Sequence, residues 1–196
     1  MTSSSQRLRW LVICSFAALS PATGLAHPGD HAVHDAMAGF AHPFTGLDHL
    51  LAMIAVGLWA ARLGRTPAIT LPVAFPLMMI VGGLLAAAQI ALPAIEPMIA
   101  LSVITFGTLI AVGVRLPLLA SLALVGVFAI FHGYAHVAES AGSVLAGYVA
   151  GFVAATVILH AAGLFIGWMT RQHSVRFARW VGAAIATTGT ALLFLA

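Results

Sequence analysis

Two short stretches of this 196-residue chain place imidazoles and carboxylates at helical spacing within otherwise apolar sequence. The first, AHPFTGLDHLLAMIAVGLWAA from Ala41 to Ala61, carries His42, Asp48 and His49 at its leading end. The second, FHGYAHVAES from Phe131 to Ser140, carries His132, His136 and Glu139. Seven positions make nearly two helical turns, so His42 and His49 share one stripe if the lead-in to Gly46 is helical, with Asp48 about 100° to the side. Thr45 is expected to cap the helix that starts there, and Gly46 to let another helix or a ligand approach. In the second stretch the spacings of four and three put all three side chains on one face. Imidazole and carboxylate without thiolate form a donor set for nickel, cobalt, zinc, iron or manganese rather than copper(I). The carboxylates can also orient the imidazole rings from behind.

Other residues of the same chemistry are scattered around these two clusters. Glu96 is expected at the same depth as both. His27, His31 and His34 form a His-rich lead that either collects metal or is simply polar. Phe75, between Pro72 and Pro76, is lipid-facing by sequence pattern, with the alternative of facing the site. His160 falls in the inner half of its apolar stretch and is expected to bond a neighbouring helix rather than serve as a relay. Gly147 and Gly151 have the spacing of close helix packing. No phosphate-binding glycine loop, Gly-x-Ser-x-Gly elbow or HExxH motif is present.

The elements that must position these residues are membrane helices. The chain is 62% hydrophobic and only 7% charged, against about 25% charged in soluble domains. It has too little polar surface to cover a water-soluble globule, and several stretches exceed the roughly 18 apolar residues that mark a span. The basic balance comes from eight arginines with no lysine, dispersed along the chain, so it is no nucleic-acid signal. Residues 1–26 read as a cleaved signal peptide: Arg7 and Arg9, an apolar core from Trp10 to Leu19, Pro21, then small residues at Gly24 and Ala26. The one cysteine, Cys14, lies inside it, so the mature chain has no thiol.

The remainder, 27–196, reads as a single all-α domain, a polytopic bundle of six transmembrane helices: Phe44–Ala61, Ile69–Ala91, Pro97–Val114, Pro117–Val137, Ser143–Met169 and Phe177–Leu195. Arg62, Arg65, Arg115, Arg171, Arg176 and Arg179 fall in loops on one side, which is then cytoplasmic. The acids and seven of nine histidines fall towards the other side. The mature N-terminus is therefore expected in the periplasm, and the protein in a bacterial inner membrane. The first span runs inward and the fourth outward, so their clusters share a depth. That arrangement hints at an inverted three-plus-three repeat.

HPFTGLDHLLAMIAVGLWA and FHGYAHVAES resemble the two signatures of the HupE/UreJ family, with supporting matches in FPLMMIVGG around Phe75 and IEPMIALS around Glu96. Val137 stands where that family commonly has Gly after the second His. The resemblance implies a permease that carries Ni²⁺, or Co²⁺, from periplasm to cytoplasm in the service of hydrogenase or urease maturation. It implies that His42, Asp48, His49, His132, His136, Glu139, Phe75 and Glu96 are needed for transport, with the ion as substrate and no prosthetic group. The expected partners are a divalent ion and the lipid bilayer; a homo-oligomer is left open. The family's proposed distant relationship to intramembrane hydrolases supplies an alternative, in which zinc activates water for attack on a lipid amide or ester.

Overall fold

The computed structural model describes residues 30–139, 145–173 and 175–195. Side chains at 30–34, 139, 145, 172 and 173 lie outside the described set, as do Cys14, His27 and the whole of 1–26, the segment expected to be a signal peptide. The described residues are all-helical, in seven helices: α1 Asp30–Thr45, α2 Leu47–Leu63, α3 Arg65–Ala87, α4 Ile95–Val112, α5 Leu118–Glu139, α6 Leu145–His173 and α7 Val175–Leu193. Helices α2 to α7 follow the six expected apolar stretches to within a few residues.

Length and hydropathy separate these helices. Helices α3, α4, α5 and α6 are each long and apolar enough to cross a bilayer, and α1 with α2 adds a fifth if that bent pair is one span. Helix α7, with Arg176, Arg179, Thr187, Thr188 and Thr190, does not reach that measure alone. The outer face of α3 explains the solvent the bundle requires: Ile69, Val73, Leu77, Ile80 and Leu84 are all exposed and recur every three or four residues. Such a stripe belongs against lipid rather than water. The chain is a membrane protein.

Helix α2 is the hub. Met53, Ala55, Val56, Leu58 and Trp59 are buried along its length, and Phe75, Phe106, Ile110 and Phe128 from three other helices complete the core around it. Glycines set how closely the helices meet. A Cβ at Gly57 would collide with the His160 carbonyl of α6, one at Gly133 with the Met79 carbonyl of α3, and one at Gly182 with the backbone of α4. Gly151 meets α1 at Ala36 in the same way, as its spacing suggested.

The three closest helix pairings are α3 with α5, α4 with α7, and α2 with α6. Exchanging α2, α3 and α4 in order with α5, α6 and α7 leaves this set unchanged, the pairing pattern an inverted repeat produces.

The lead-in to α2 corrects a detail of the sequence expectation. It is helical, but α1 and α2 meet at an angle of 79°, so His42 and His49 do not share a stripe of one helix. Pro43 removes a backbone donor in the last turn of α1, and Gly46 is extended, with φ −87° and ψ 111°. Thr45 does not cap α2 either; its hydroxyl donates back to the His42 carbonyl at 2.8 Å, closing α1 instead. Pro72 and Pro76 both lie inside α3, which runs on from Arg65 through them.

Candidate metal centre

The bend at Gly46 folds the end of α1 over the start of α2 and sets His42 beside His49 without a shared stripe. Their ring centroids are 5.8 Å apart. His136, from the last turn of α5, closes the group at 4.7 Å from His42 and 4.5 Å from His49. Each of the three offers a ring nitrogen, and these atoms lie within 4.8 Å of one another. His49 and His136 are buried, His42 half-buried. The two expected clusters therefore meet.

Hydrogen bonding decides which ring nitrogens carry a lone pair. Asp48 Oδ1 lies 2.7 Å from His49 Nδ1 and accepts the His49 backbone N–H at 2.7 Å as well. A carboxylate only accepts, so Nδ1 holds the proton and Nε2 the lone pair. That Nε2 is buried with no hydrogen-bond partner. His132 repeats the arrangement one turn deeper. The Ser102 hydroxyl donates its one proton to the Ile99 carbonyl at 2.6 Å, so at 2.9 Å from His132 Nε2 it accepts, and His132 Nδ1 is left as an unpartnered lone pair. His160 repeats it again: Nδ1 donates to the Thr156 carbonyl at 2.8 Å, leaving Nε2 without a partner. Both ring nitrogens of His136 are buried and unpartnered.

The rings form a line into the bundle. His49 and His132 are 4.7 Å apart; Phe75 packs 5.5 Å from His132 and 5.1 Å from His160. A histidine that ligates metal characteristically donates its other N–H to a carboxylate, a backbone carbonyl or water. His49 and His160 do so, and His132 donates to a hydroxyl instead.

A family model described as HupE / UreJ protein matches residues 13–192. The chain belongs to the HupE/UreJ family. It is 44% identical over 191 residues to Protein HupE of Rhizobium leguminosarum bv. viciae, an alignment covering 93% of this chain and 96% of that one. No solved structure matches. For a HupE/UreJ protein a role in metal transport is the function that membership supports, and a cluster of imidazole nitrogens is consistent with it.

The remaining expected residues sort clearly. Phe75 is fully buried between His132 and His160 rather than lipid-facing. His160 bonds its own helix at Thr156, not a neighbouring one. Glu96 is exposed in the first turn of α4 and does not join the histidine group. Glu139 ends α5, one turn beyond His136, its side chain outside the described set with those of His31 and His34.

Three contacts were not anticipated: Ser102 on His132, Phe152 against His136 with centroids 3.8 Å apart, and Tyr148 at 6.2 Å from His42. Ser102 sits within the IEPMIALS match, so a hydroxyl buried in an apolar stretch was the available signal. Nothing in the sequence singles out Phe152 or Tyr148 among ordinary apolar packing.

Proposed function

We propose that this HupE/UreJ protein carries Ni²⁺, with Co²⁺ as the close alternative, inward across a bacterial inner membrane through six helices, α2 to α7. In this reading the ion is captured from the periplasm by His42, His49 and His136. The observation that carries it is the run of buried imidazole lone pairs on His49, His136, His132 and His160 that no donor among the described residues satisfies. Burying an acceptor without a partner is costly, and a cation passing from one to the next supplies the partner.

Each group then has a task. Asp48 fixes the His49 tautomer and balances part of the ion's charge through it. Glu139 and Glu96 act at the mouth, and His27, His31 and His34 raise the local metal concentration. Metal–nitrogen bonds of about 2.1 Å put neighbouring ligand nitrogens roughly 3.0 to 3.4 Å apart, closer than the 4.8 Å that bounds the trio. A loose trio suits transit, since a conducting site must release what it binds. Phe75 separates the outer lone pairs from His160 and is the point at which passage is controlled. A membrane potential drives inward movement by about 2.3 kcal/mol per charge per 100 mV, doubled for a divalent ion.

The hydrolase alternative needs a lipid-accessible cleft, and one touches the site: an apolar groove between α3, α5 and α6 that reaches His136, flanked by Pro76, Met79, Tyr148 and Phe152. A hydrolase also needs donors aimed at a developing oxyanion. Among the described residues of that lining, Tyr148 is the one side chain able to donate beyond His136, and polar groups continue inward past it, which favours passage. The test is radiolabelled Ni²⁺ uptake in cells lacking their own nickel importers, with Co²⁺ and Zn²⁺ in parallel. Uptake above background is expected. Its absence from well-expressed protein with all three ions sinks the transport reading.

A further inference from the structure

At the opposite end of the bundle, the ends of α2, α4 and α6 and the start of α7 enclose a cavity of about 290 Å³. Four arginines line it: Arg62, Arg115, Arg171 and Arg179. The other three are close enough to Arg62 for their charges to repel it, and no carboxylate is among the lining residues. Two backbone carbonyls nearby already accept other donors. Arg171 Nη1 donates to the Ala61 carbonyl at 3.0 Å, and the Trp59 indole donates to the Val114 carbonyl at 3.2 Å. Among the described residues, Arg62 Nη1 has no acceptor although it is buried.

Membrane topology alone asks only that arginines stand in loops on one side. Arg65 and Arg176, at the starts of α3 and α7, meet that need without converging: both are exposed and neither lines the cavity. Topology does not ask four guanidinium groups to converge, nor one of them to bury a donor. Convergent forks of N–H donors match an anion whose negative charge is spread over several oxygens pointing in different directions, as on a tetrahedral phosphoryl group.

We propose that this cavity binds a phosphoryl anion, either the headgroup of an anionic phospholipid or free phosphate. Apolar walls from Trp59, Leu63 and Leu109 beside the guanidinium groups, and the highly exposed Trp180 on α7, suit a lipid whose chains lie along the bundle. Basic pockets between helix ends bind such headgroups. The site is separate from the histidine line and requires none of it.

The test melts the purified full-length protein in an uncharged detergent. Inorganic phosphate, phosphatidylglycerol, and chloride at matched ionic strength are compared. A saturating ligand is expected to raise the midpoint by about 2–4 °C over chloride. Stabilisation by inorganic phosphate assigns free phosphate as the ligand; stabilisation by phosphatidylglycerol alone assigns the headgroup. The Arg62→Gln/Arg179→Gln variant is expected to lose the shift and Arg65→Gln to keep it. Removing like charges relieves repulsion, so the double variant should melt no lower than the parent without ligand. Should it not fold, Arg179→Gln, which alters an exposed side chain, carries the same comparison. The proposal is overturned if no probe exceeds chloride, if the arginine variant shifts as much as the parent, or if Arg65→Gln loses the shift equally. Metal uptake is not read, so this proposal and the transport reading fail separately.

Discussion

At one end of this bundle, buried imidazoles present lone pairs that no described residue donates to; at the other, guanidinium groups surround a cavity whose described lining has no carboxylate. The histidine end is dry, with His132 and His136 almost wholly enclosed, and its polar atoms are held by short bonds to Asp48, Ser102 and Thr156. The arginine end is wetter, and three of its four guanidinium groups are exposed. Both depart from the rule that buried polar groups are paired, but in opposite senses. One is short of a cation and the other of an anion. Helix α2 joins them, with His49 in its first turn and Arg62 in its last.

If the two ends are independent, substitutions should divide their effects cleanly. On the transport reading, His49→Ala or His136→Ala is expected to reduce Ni²⁺ uptake to background, because each removes one imidazole from a group of three. Arg62→Gln in the same cells is expected to leave initial uptake close to that of the parent. Equal loss from both, at matched membrane expression, would break the division and point to one coupled path through the arginine cavity.

A smaller effect is expected at Asp48, whose carboxylate orients His49 without joining the trio. Asp48→Asn retains an acceptor for the His49 N–H but removes its negative charge. Changing such a supporting group typically costs 10–100-fold in metal affinity, so the half-saturating Ni²⁺ concentration should rise by about tenfold, with the maximal rate less affected. A variant that loses maximal rate with unchanged half-saturation would make Asp48 a participant in passage instead.

Much of this contrast was legible in the sequence, because charge is sparse and its placement follows the alternation of apolar stretches. The helical class, the positions of the apolar stretches and the segregation of histidine from arginine all follow from composition and period. The stripe argument for His42 and His49 did not hold. It assumed a continuous helix, while Pro43 and Gly46 together break one, and the two rings meet across the bend. Phe75 was hidden for a different reason. On a helix apolar on every side, periodicity does not show which face turns inward, and only the packing of α3 against α5 settles it. Ser102 and Phe152 depend on contacts between distant helices and have no local signature. The convergence of four dispersed arginines belongs to the same class.

The scaffold that brings the clusters together depends on close backbone contact, which supplies a test of intermediate size. Gly133→Ala would push a methyl group into the Met79 carbonyl, one turn from Phe75 on α3. Overpacking of this kind costs about 1–3 kcal/mol, so the melting midpoint should fall by several degrees. Uptake per folded molecule should fall as well, since α5 carries both His132 and His136. Gly64→Ala gives the control for space: a Cβ there meets nothing within 4 Å. Its φ of +134° still disfavours any side chain, so a loss of stability there with unchanged uptake separates backbone strain from disturbance of the histidine line.

The finest distinction concerns where the line of lone pairs ends. His160 lies beyond Phe75, bonded to its own helix at Thr156, with Nε2 open. If the ion rests there on its way inward, His160→Phe keeps a ring against Phe75 and removes the lone pair. Capture by the outer trio is then unaffected, so half-saturation should stay constant. The maximal rate should fall about threefold, a barrier change of under 1 kcal/mol. His160→Ala removes the ring as well, and comparison of the two variants separates the loss of a ligand from the loss of packing. An unchanged rate in His160→Phe would mean that the path leaves the histidines at His132 and Phe75, and that His160 only fills the core between α3 and α6. In either case the inner boundary of the metal path would be set by one ring nitrogen.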